Sequence, residues 1–157
     1  MAKNYNGVQI NPSATIVEKA GAEIADVRNR IVKFDDNGNV VLAAAGTDIP
    51  VGIAIIEAGY NDISGVESGK ARVGDDVDIV IKEMSVVLAG ASVKKGQEVT
   101  AGADGKAVPA AGGDYVLGFA LDSAEADEYL PIQIAKYQKV SGPTASGEQM
   151  TEEEGTL

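Results

Sequence analysis

The chain has 157 residues, of which 13 are basic and 24 acidic, so its net charge is −11, and it contains neither histidine nor cysteine. This length favours one compact domain with tails. The missing residue types exclude disulfides, thiolate metal sites and the side chain that most often acts as a general base near neutral pH. The negative charge repels phosphate backbones, which argues against a nucleic-acid partner.

Residues 1–14 are mostly polar and predict an extended N-terminal arm. Val8 and Ile10 alternate around a glutamine, but no periodic pattern is sustained. Such an arm either frays in solution or lies along a neighbouring protein and pairs with its backbone. The arm lacks the apolar core of a signal peptide, and the chain has no run of about 18 apolar residues. We therefore expect no membrane partner and synthesis in a cytoplasm.

Residues 15–137 predict a single β domain with an internal repeat, whose copies span about 20–81 and 89–134. Gly38 recurs at Gly105, 67 positions later, and Gly52 recurs at Gly118, 66 positions later. Short runs of β-branched residues bounded by glycine, asparagine and aspartate predict strands joined by hairpins. The predicted fold class is all-β, a small barrel or sandwich built from two copies of a hairpin-containing unit.

Six residues are predicted to shape the turns and bends of this repeat. Asn37-Gly38 and Asp104-Gly105 can supply the positive φ angles of a two-residue hairpin turn. Gly52 and Gly118 each interrupt an apolar strand, which indicates a bulge or a close backbone approach. We assign all of these positions a structural role.

The two copies differ by an insertion, and the chain ends in an acidic tail. Residues 58–73 occur in the first copy alone and predict a surface loop, compatible with one helical turn near residues 62–66. Both copies then close on strands with a period of two, at residues 77–81 and 130–134. Residues 138–157 are rich in serine, glycine and glutamate and predict a flexible tail.

Two acidic clusters occupy equivalent places in the repeat. Paired carboxylates can bind a hard cation or carry out acid–base chemistry, but the sequence shows no apolar cleft that would raise a carboxyl pKa. We interpret the clusters as solvated loops before strands, with weak calcium binding as the alternative. The turn at residues 35–39 lacks the EF-hand spacing, because Lys33 stands where an aspartate is needed. The clusters consist of Asp75, Asp76 and Asp78, and of Asp122, Glu125, Asp127 and Glu128.

Motifs of catalysis are missing from the sequence. It has neither the G-x-S-x-G nucleophile motif nor the G-x-x-x-x-G-K-S/T phosphate loop. Residues 93–99 follow a V-x-x-G-x-x-V pattern similar to biotinyl or lipoyl carrier domains, but Lys82-Glu83-Met84 has the wrong order for their modified lysine. We predict no catalytic, cofactor-binding or metal site and do not expect an enzyme.

One family resemblance is carried by residues 103–109 (ADGKAVP) and 115–120 (YVLGFA), and repeated in residues 46–54 (GTDIPVGIA). These segments resemble the capsid cement, or head-decoration, proteins of tailed bacteriophages. The resemblance implies a structural protein of the virion that binds the outer surface of the assembled head and bridges subunits of the major capsid protein. It also implies a homo-oligomer, commonly a trimer, without a cofactor.

In such proteins an N-terminal arm often lies on the shell. The resemblance therefore makes five residues candidates for capsid binding: Tyr5, Val8, Ile10, Ile16 and Val17. The insertion and the acidic tail depart from the repeated pattern. The alternative function is a calcium-modulated or carbohydrate-binding β module that uses the acidic loops with Tyr60 or Tyr129.

Overall fold

The structure, a computed structural model, describes residues 14–142. This part of the chain consists of short strands joined by turns, with one single-turn 3-10 helix at Ala103–Gly105. The strands of the first half are β1 (Thr15–Lys19), β2 (Ile31–Phe34), β3 (Val40–Leu42), β4 (Gly52–Ala54) and β5 (Asp76–Val80). Those of the second half are β6 (Glu83–Leu88), β7 (Glu98–Ala101), β8 (Ala107–Pro109), β9 (Tyr115–Ala120) and β10 (Tyr129–Gln138).

The strands form two five-stranded sheets with the same topology. Sheet 1 has the order β1-β5-β4-β2-β3, and sheet 2 has the order β6-β10-β9-β7-β8. Within both sheets all neighbouring strands are antiparallel. Each strand of sheet 2 thus takes the place of the strand five earlier in sheet 1. This confirms the prediction of an all-β fold built from two copies of one unit.

The repeat extends to single pairings outside the strands. In each copy, a segment after the first strand makes one parallel bridge to the third strand and one antiparallel bridge to the loop before the last strand. Small side chains at several of these positions let the crossing segments approach closely. The bridges are Ala20 to Val40 and Ile24 to Ala71 in the first copy, and Ala89 to Ala107 and Val93 to Ala124 in the second.

The two copies share one of their hydrophobic cores. Val32 and Ala54 of sheet 1 pack in a core made of first-copy residues. Their neighbours Ile31 and Ile53 point to the opposite face of sheet 1 and pack in the core of the second copy. Both isoleucines are fully buried, and each contributes about 1.5–3 kcal/mol through the apolar surface removed from water. Sheet 1 is therefore covered on both faces: one face packs on the first-copy core, and the other face, with Ile31 and Ile53, completes the core of the second copy.

The first hairpin turn differs from the predicted two-residue turn. Asp35 N–H donates to Asn39 O (2.8 Å), which leaves a three-residue loop in which Gly38 has a φ of 78°. Asn37 is not left-handed, because the Asp35 carboxylate accepts its N–H (2.9 Å) and that of Asn39 (2.9 Å). This carboxylate favours a three-residue loop with glycine at the left-handed position. The second turn is also a three-residue loop, closed by Gly102 N–H donating to Lys106 O (2.7 Å), and within it both Asp104 (φ 58°) and Gly105 (φ 67°) have positive φ angles.

Gly52 and Gly118 lie at equivalent points where two neighbouring strands approach each other closely. A Cβ atom at Gly52 would overlap the carbonyl oxygen of Val80 on β5, and one at Gly118 would overlap that of Gln133 on β10. The close approach explains why each copy needs glycine in the middle of an apolar strand.

The insertion after β4 is a loop of turns, without the helical turn considered for residues 62–66. Its base is closed by Tyr60 N–H donating to Lys70 O (2.7 Å) and Gly69 N–H donating to Tyr60 O (2.7 Å). At its tip the Asp62 carboxylate accepts the N–H of Ser64 (3.1 Å). Gly65 has a φ of 78°, which interrupts any right-handed helix at this point.

Candidate functional site

Carboxylates of the acidic loops act as caps of backbone turns. Asp48 accepts the N–H of Ala44 (2.8 Å), and its counterpart Asp114 accepts that of Ala111 (2.8 Å). In the two acidic clusters, Asp75 accepts the N–H of Arg72 (2.8 Å), and its counterpart Glu128 accepts that of Glu125 (2.9 Å). Each carboxylate thus satisfies a backbone donor that the turn leaves free. Across residues 14–142, no group of three or more acidic side chains is arranged to hold a metal ion.

One of these carboxylates also forms a partly buried ion pair. Lys33 Nζ lies 2.6 Å from Asp48 Oδ1. Burial by itself would raise the pKa of Asp48, but the hydrogen bonds from Lys33 and from the N–H groups of Ala44 and Ala45 outweigh it and lower that pKa. The pair joins β2 to the loop before β4 and has a structural role.

The outer face of sheet 2 is an apolar surface exposed to solvent. In β10 the side chains of Leu130 and Ile132 point into the core, and those of Tyr129, Pro131 and Gln133 point outward. Strand register places outward residues of β6 and β9 beside them. The large apolar side chains exposed on this face are Met84 (62%), Val86 (38%), Phe119 (37%), Tyr129 (61%) and Tyr137 (39%).

A hydrogen-bonded cluster holds the aromatic part of this face in position. Tyr137 Oη donates to Glu98 Oε2 (2.5 Å), and Lys139 Nζ lies 3.1 Å from Glu98 Oε1. Burial and the bond to Glu98 raise the pKa of Tyr137 to about 12, and the bonds from Tyr137 and Lys139 lower the pKa of Glu98. The Tyr137 ring lies 6.0 Å from that of Phe119, centroid to centroid. The face therefore presents ordered rings.

The same face of sheet 1 is covered within the molecule. By strand register, Phe119 and Glu98 of sheet 2 correspond to Ile53 and Ile31 of sheet 1. The isoleucines are fully buried against the second copy, whereas Phe119 is 37% exposed. Within residues 14–142, no segment covers the corresponding outer face of sheet 2.

The predicted capsid-binding residues are separated by the structure. Tyr5, Val8 and Ile10 lie outside the described residues. Ile16 is half-buried on β1 and packs on the first core, whereas Val17 points to the opposite side and is 55% exposed. Neighbouring residues of a strand face opposite ways, so Ile16 and Val17 lie on opposite faces of sheet 1.

Sequence reasoning missed Met84, Phe119 and Tyr137 as a surface. The signal that could have found them was the period of two in β10 and the large ring of Phe119 among small residues. The two tyrosines of the carbohydrate-binding alternative belong to different elements: Tyr60 is in the insertion under the guanidinium of Arg72 (5.7 Å), and Tyr129 begins β10.

Comparison with known protein families decides what kind of protein carries this surface. The model of the XM1 gp53 minor capsid protein family matches residues 2–136. The chain belongs to the XM1 gp53 minor capsid protein family. This confirms the resemblance to capsid-associated phage proteins, and the protein is a structural component associated with the phage capsid.

The fold of this minor capsid protein is similar to that of a solved phage structure. The head fiber gp8.5 N base of bacteriophage phi29 has 23% sequence identity and a TM-score of 0.56, with 82% of this chain and 98% of that chain covered. At this identity the similarity shows the fold alone. No curated protein matches the chain. Between residues 14 and 142, no helix is long and apolar enough to cross a membrane.

Proposed function

We propose that this minor capsid protein is a decoration, or cement, protein that binds the outer surface of an assembled phage head and stabilises it by bridging major capsid protein subunits. The observation that supports this most directly is the exposed apolar outer face of sheet 2, in a domain whose two copies are joined by a shared hydrophobic core. An ordered apolar face of this kind serves protein–protein contact. A protein that binds only the assembled shell stabilises it by RT ln(1 + [L]/Kd) per site, which adds up over many sites.

The outer face of sheet 2 also supports the proposed homotrimer. The corresponding face of sheet 1 is closed by the second copy through Ile31 and Ile53. A neighbouring chain that covers Phe119 and Met84 repeats that arrangement between molecules. Because the two partners in such a contact use different surfaces, the contact closes into a ring when the rotation between them is about 120°.

The major capsid protein is the proposed partner of the N-terminal arm and β1. β1 is an edge strand of sheet 1, and an edge strand can pair with an extended segment of another protein through main-chain hydrogen bonds. Val17 is exposed beside this edge. Tyr5, Val8 and Ile10 lie outside the described residues and precede β1 in the sequence; they are proposed to contact the same partner.

The test uses purified phage heads that lack this protein. Wild-type protein is expected to sediment with expanded heads, to appear on their outside in electron micrographs and to raise their melting temperature. Phe119→Ser should reduce self-association, and Val17→Asp should reduce head binding. The matched control is Ile63→Ser, because Ile63 is fully exposed in the insertion, away from both surfaces. Wild-type protein that neither binds the heads nor changes their melting would refute the proposal.

A further inference from the structure

A groove with apolar walls lies between the loop after β4 and the edge of β6, and no described residue fills it. It has a volume of about 400 Å³, within the range of about 300–1,000 Å³ that is typical of small-ligand sites. Its walls include Ile55, Ile56 and Val86. Ile56 is 48% exposed although its side chain is large and apolar. Within the described part of the chain, the groove is therefore open to an occupant from outside.

The lining of the groove includes a carboxylate without an ionic partner. Glu57 is exposed, and none of the ion pairs among residues 14–142 includes it. Arg28 lines a neighbouring cleft together with Glu57. The guanidinium of Arg28 is held by Asp26, however, to which it donates from Nε to Oδ1 (2.9 Å) and from Nη2 to Oδ2 (2.9 Å). Glu57 is therefore available to a cation from another molecule.

Two further groups of the lining favour a positive charge. Asn29 is 6% exposed, and its Nδ2 donates to Val86 O (2.9 Å), whereas its Oδ1 accepts no hydrogen bond from the described residues. The negative end of this amide dipole is thus not neutralised by a donor, and the low dielectric around it strengthens its attraction for a cation. Tyr129 is 61% exposed and adds an aromatic ring, whose face attracts cations. Apolar walls are combined here with three groups that favour a cation.

We infer that this groove receives an arginine side chain of a partner protein. The methylene groups of the arginine pack against Ile56 and Val86, because long cationic side chains bury their stems along apolar surface. Its guanidinium pairs with Glu57 and stacks on Tyr129. Arginine suits this lining better than lysine, because its planar group stacks on aromatic rings and its five N–H donors serve several acceptors at once. Arginine is also enriched among the residues that contribute most to the affinity of protein interfaces.

Charge and composition indicate that the arginine belongs to another protein and not to a second copy of this chain. The net charge of −11 attracts positively charged segments of other proteins. The inference does not rest on the proposed function, because Glu57 belongs neither to β1 nor to the outer face of sheet 2. The chain has only three arginines, and each already bonds within the described residues: Arg28 with Asp26, Arg30 with the carbonyl of Asp104, and Arg72 with Glu67.

Titration of the full chain with N-acetyl-L-arginine methylamide, followed by amide NMR, tests the inference. We expect the backbone amide peaks of Ile56 and Val86 to shift, those of Ile63 in the insertion to stay, and the shifts to give a Kd. The citrulline analogue has the same shape without the charge and should bind about 3- to 30-fold more weakly. The lysine analogue should also bind more weakly. A citrulline or lysine probe that binds as tightly as the arginine probe overturns the inference, and so does the absence of shifts at Ile56 and Val86.

Matched variants show whether the groove itself binds the probe. Glu57→Gln should raise the Kd about two- to five-fold, as for an exposed ion pair, and Tyr129→Leu, which keeps an apolar side chain but removes the ring, by a similar factor. Asp36→Asn removes the same charge from the exposed first hairpin turn and should leave the Kd unchanged. An unchanged Kd for Glu57→Gln, or an equal rise for Asp36→Asn, overturns the inference.

The head-binding test is independent of this one. Protein that binds phage heads but not the arginine probe would refute the inference and leave the decoration proposal standing. Probe binding at the groove by protein that does not bind heads would support the inference and count against the decoration proposal alone.

Discussion

Ile53→Ala probes whether the two copies unfold as one body. Ile53 belongs to β4 of the first copy, but its side chain is fully buried in the core of the second. The substitution therefore removes contacts between the copies while leaving the turns of each copy intact. Ile56→Ala is the matched control, because Ile56 lies two residues further along and is 48% exposed.

The structure allows the size of the effect to be worked out. Truncating a buried isoleucine to alanine costs about 2–5 kcal/mol, from lost apolar burial and the cavity that remains. For a domain of this size, each kcal/mol lowers the melting temperature by about 2–4 °C, so a fall of roughly 4–20 °C is expected. The control should change the free energy of unfolding by no more than about 0.5 kcal/mol.

Urea denaturation followed by circular dichroism and by the tyrosine signal measures both variants. We expect a single transition at a lower urea concentration for Ile53→Ala, with an unchanged slope m. Equal stability of Ile53→Ala and Ile56→Ala would refute the shared core. Two separate transitions in the wild-type protein would refute the view that the copies form one cooperative unit.

Three further changes test single features. Gly118→Ala should cost about 1–3 kcal/mol in urea denaturation, because its Cβ would overlap a backbone carbonyl, whereas Gly142→Ala has open space and should be neutral; equal stabilities would contradict the close crossing. The pKa of Asp48 is lowered below its ordinary 3.8, so the contribution of its carboxylate to the free energy of unfolding is present above that pH and lost as pH falls further. Asp48→Asn should therefore reduce the loss of stability on acidification, and an unchanged loss would contradict a stabilising Lys33–Asp48 ion pair. Tyr137 should ionise near pH 12 in an ultraviolet titration; Tyr137→Phe should remove the absorbance step at that pH, and persistence of the step in the variant would assign it to another group.

Local signals in the sequence identified much of the scaffold. The glycines at Gly52 and Gly118 indicated a close approach, which the structure places against two strand carbonyls. The recurrence of Gly38 at Gly105 indicated the repeat, which appears as two sheets of identical strand order. Both turns were mispredicted, because each is a three-residue loop; the second has Gly102 in the place of Asp35, so the Asp35 side chain stabilises the first loop but does not by itself set the loop length.

The candidate interaction surface was accessible from the sequence only in part. The alternation in β10 showed which side chains share a face, but not whether that face is covered. The family resemblance made Ile16 and Val17 candidates for capsid binding, and the structure places these two side chains on opposite sides of β1. The groove between the loop after β4 and the edge of β6 has no signature in the sequence, because its lining comes from four separate segments.

By itself the sequence determined that this protein is a duplicated β structure, since turn glycines and strand alternation act over a few neighbouring residues in each copy. Only the tertiary structure decided that Ile31 and Ile53 leave their own copy to close the core of the other. It also decided that, within residues 14–142, the equivalent face around Phe119 is left partly exposed to solvent. The physical reason is that alternation assigns a side chain to a face of a sheet, whereas what covers that face depends on contacts between residues far apart in the chain.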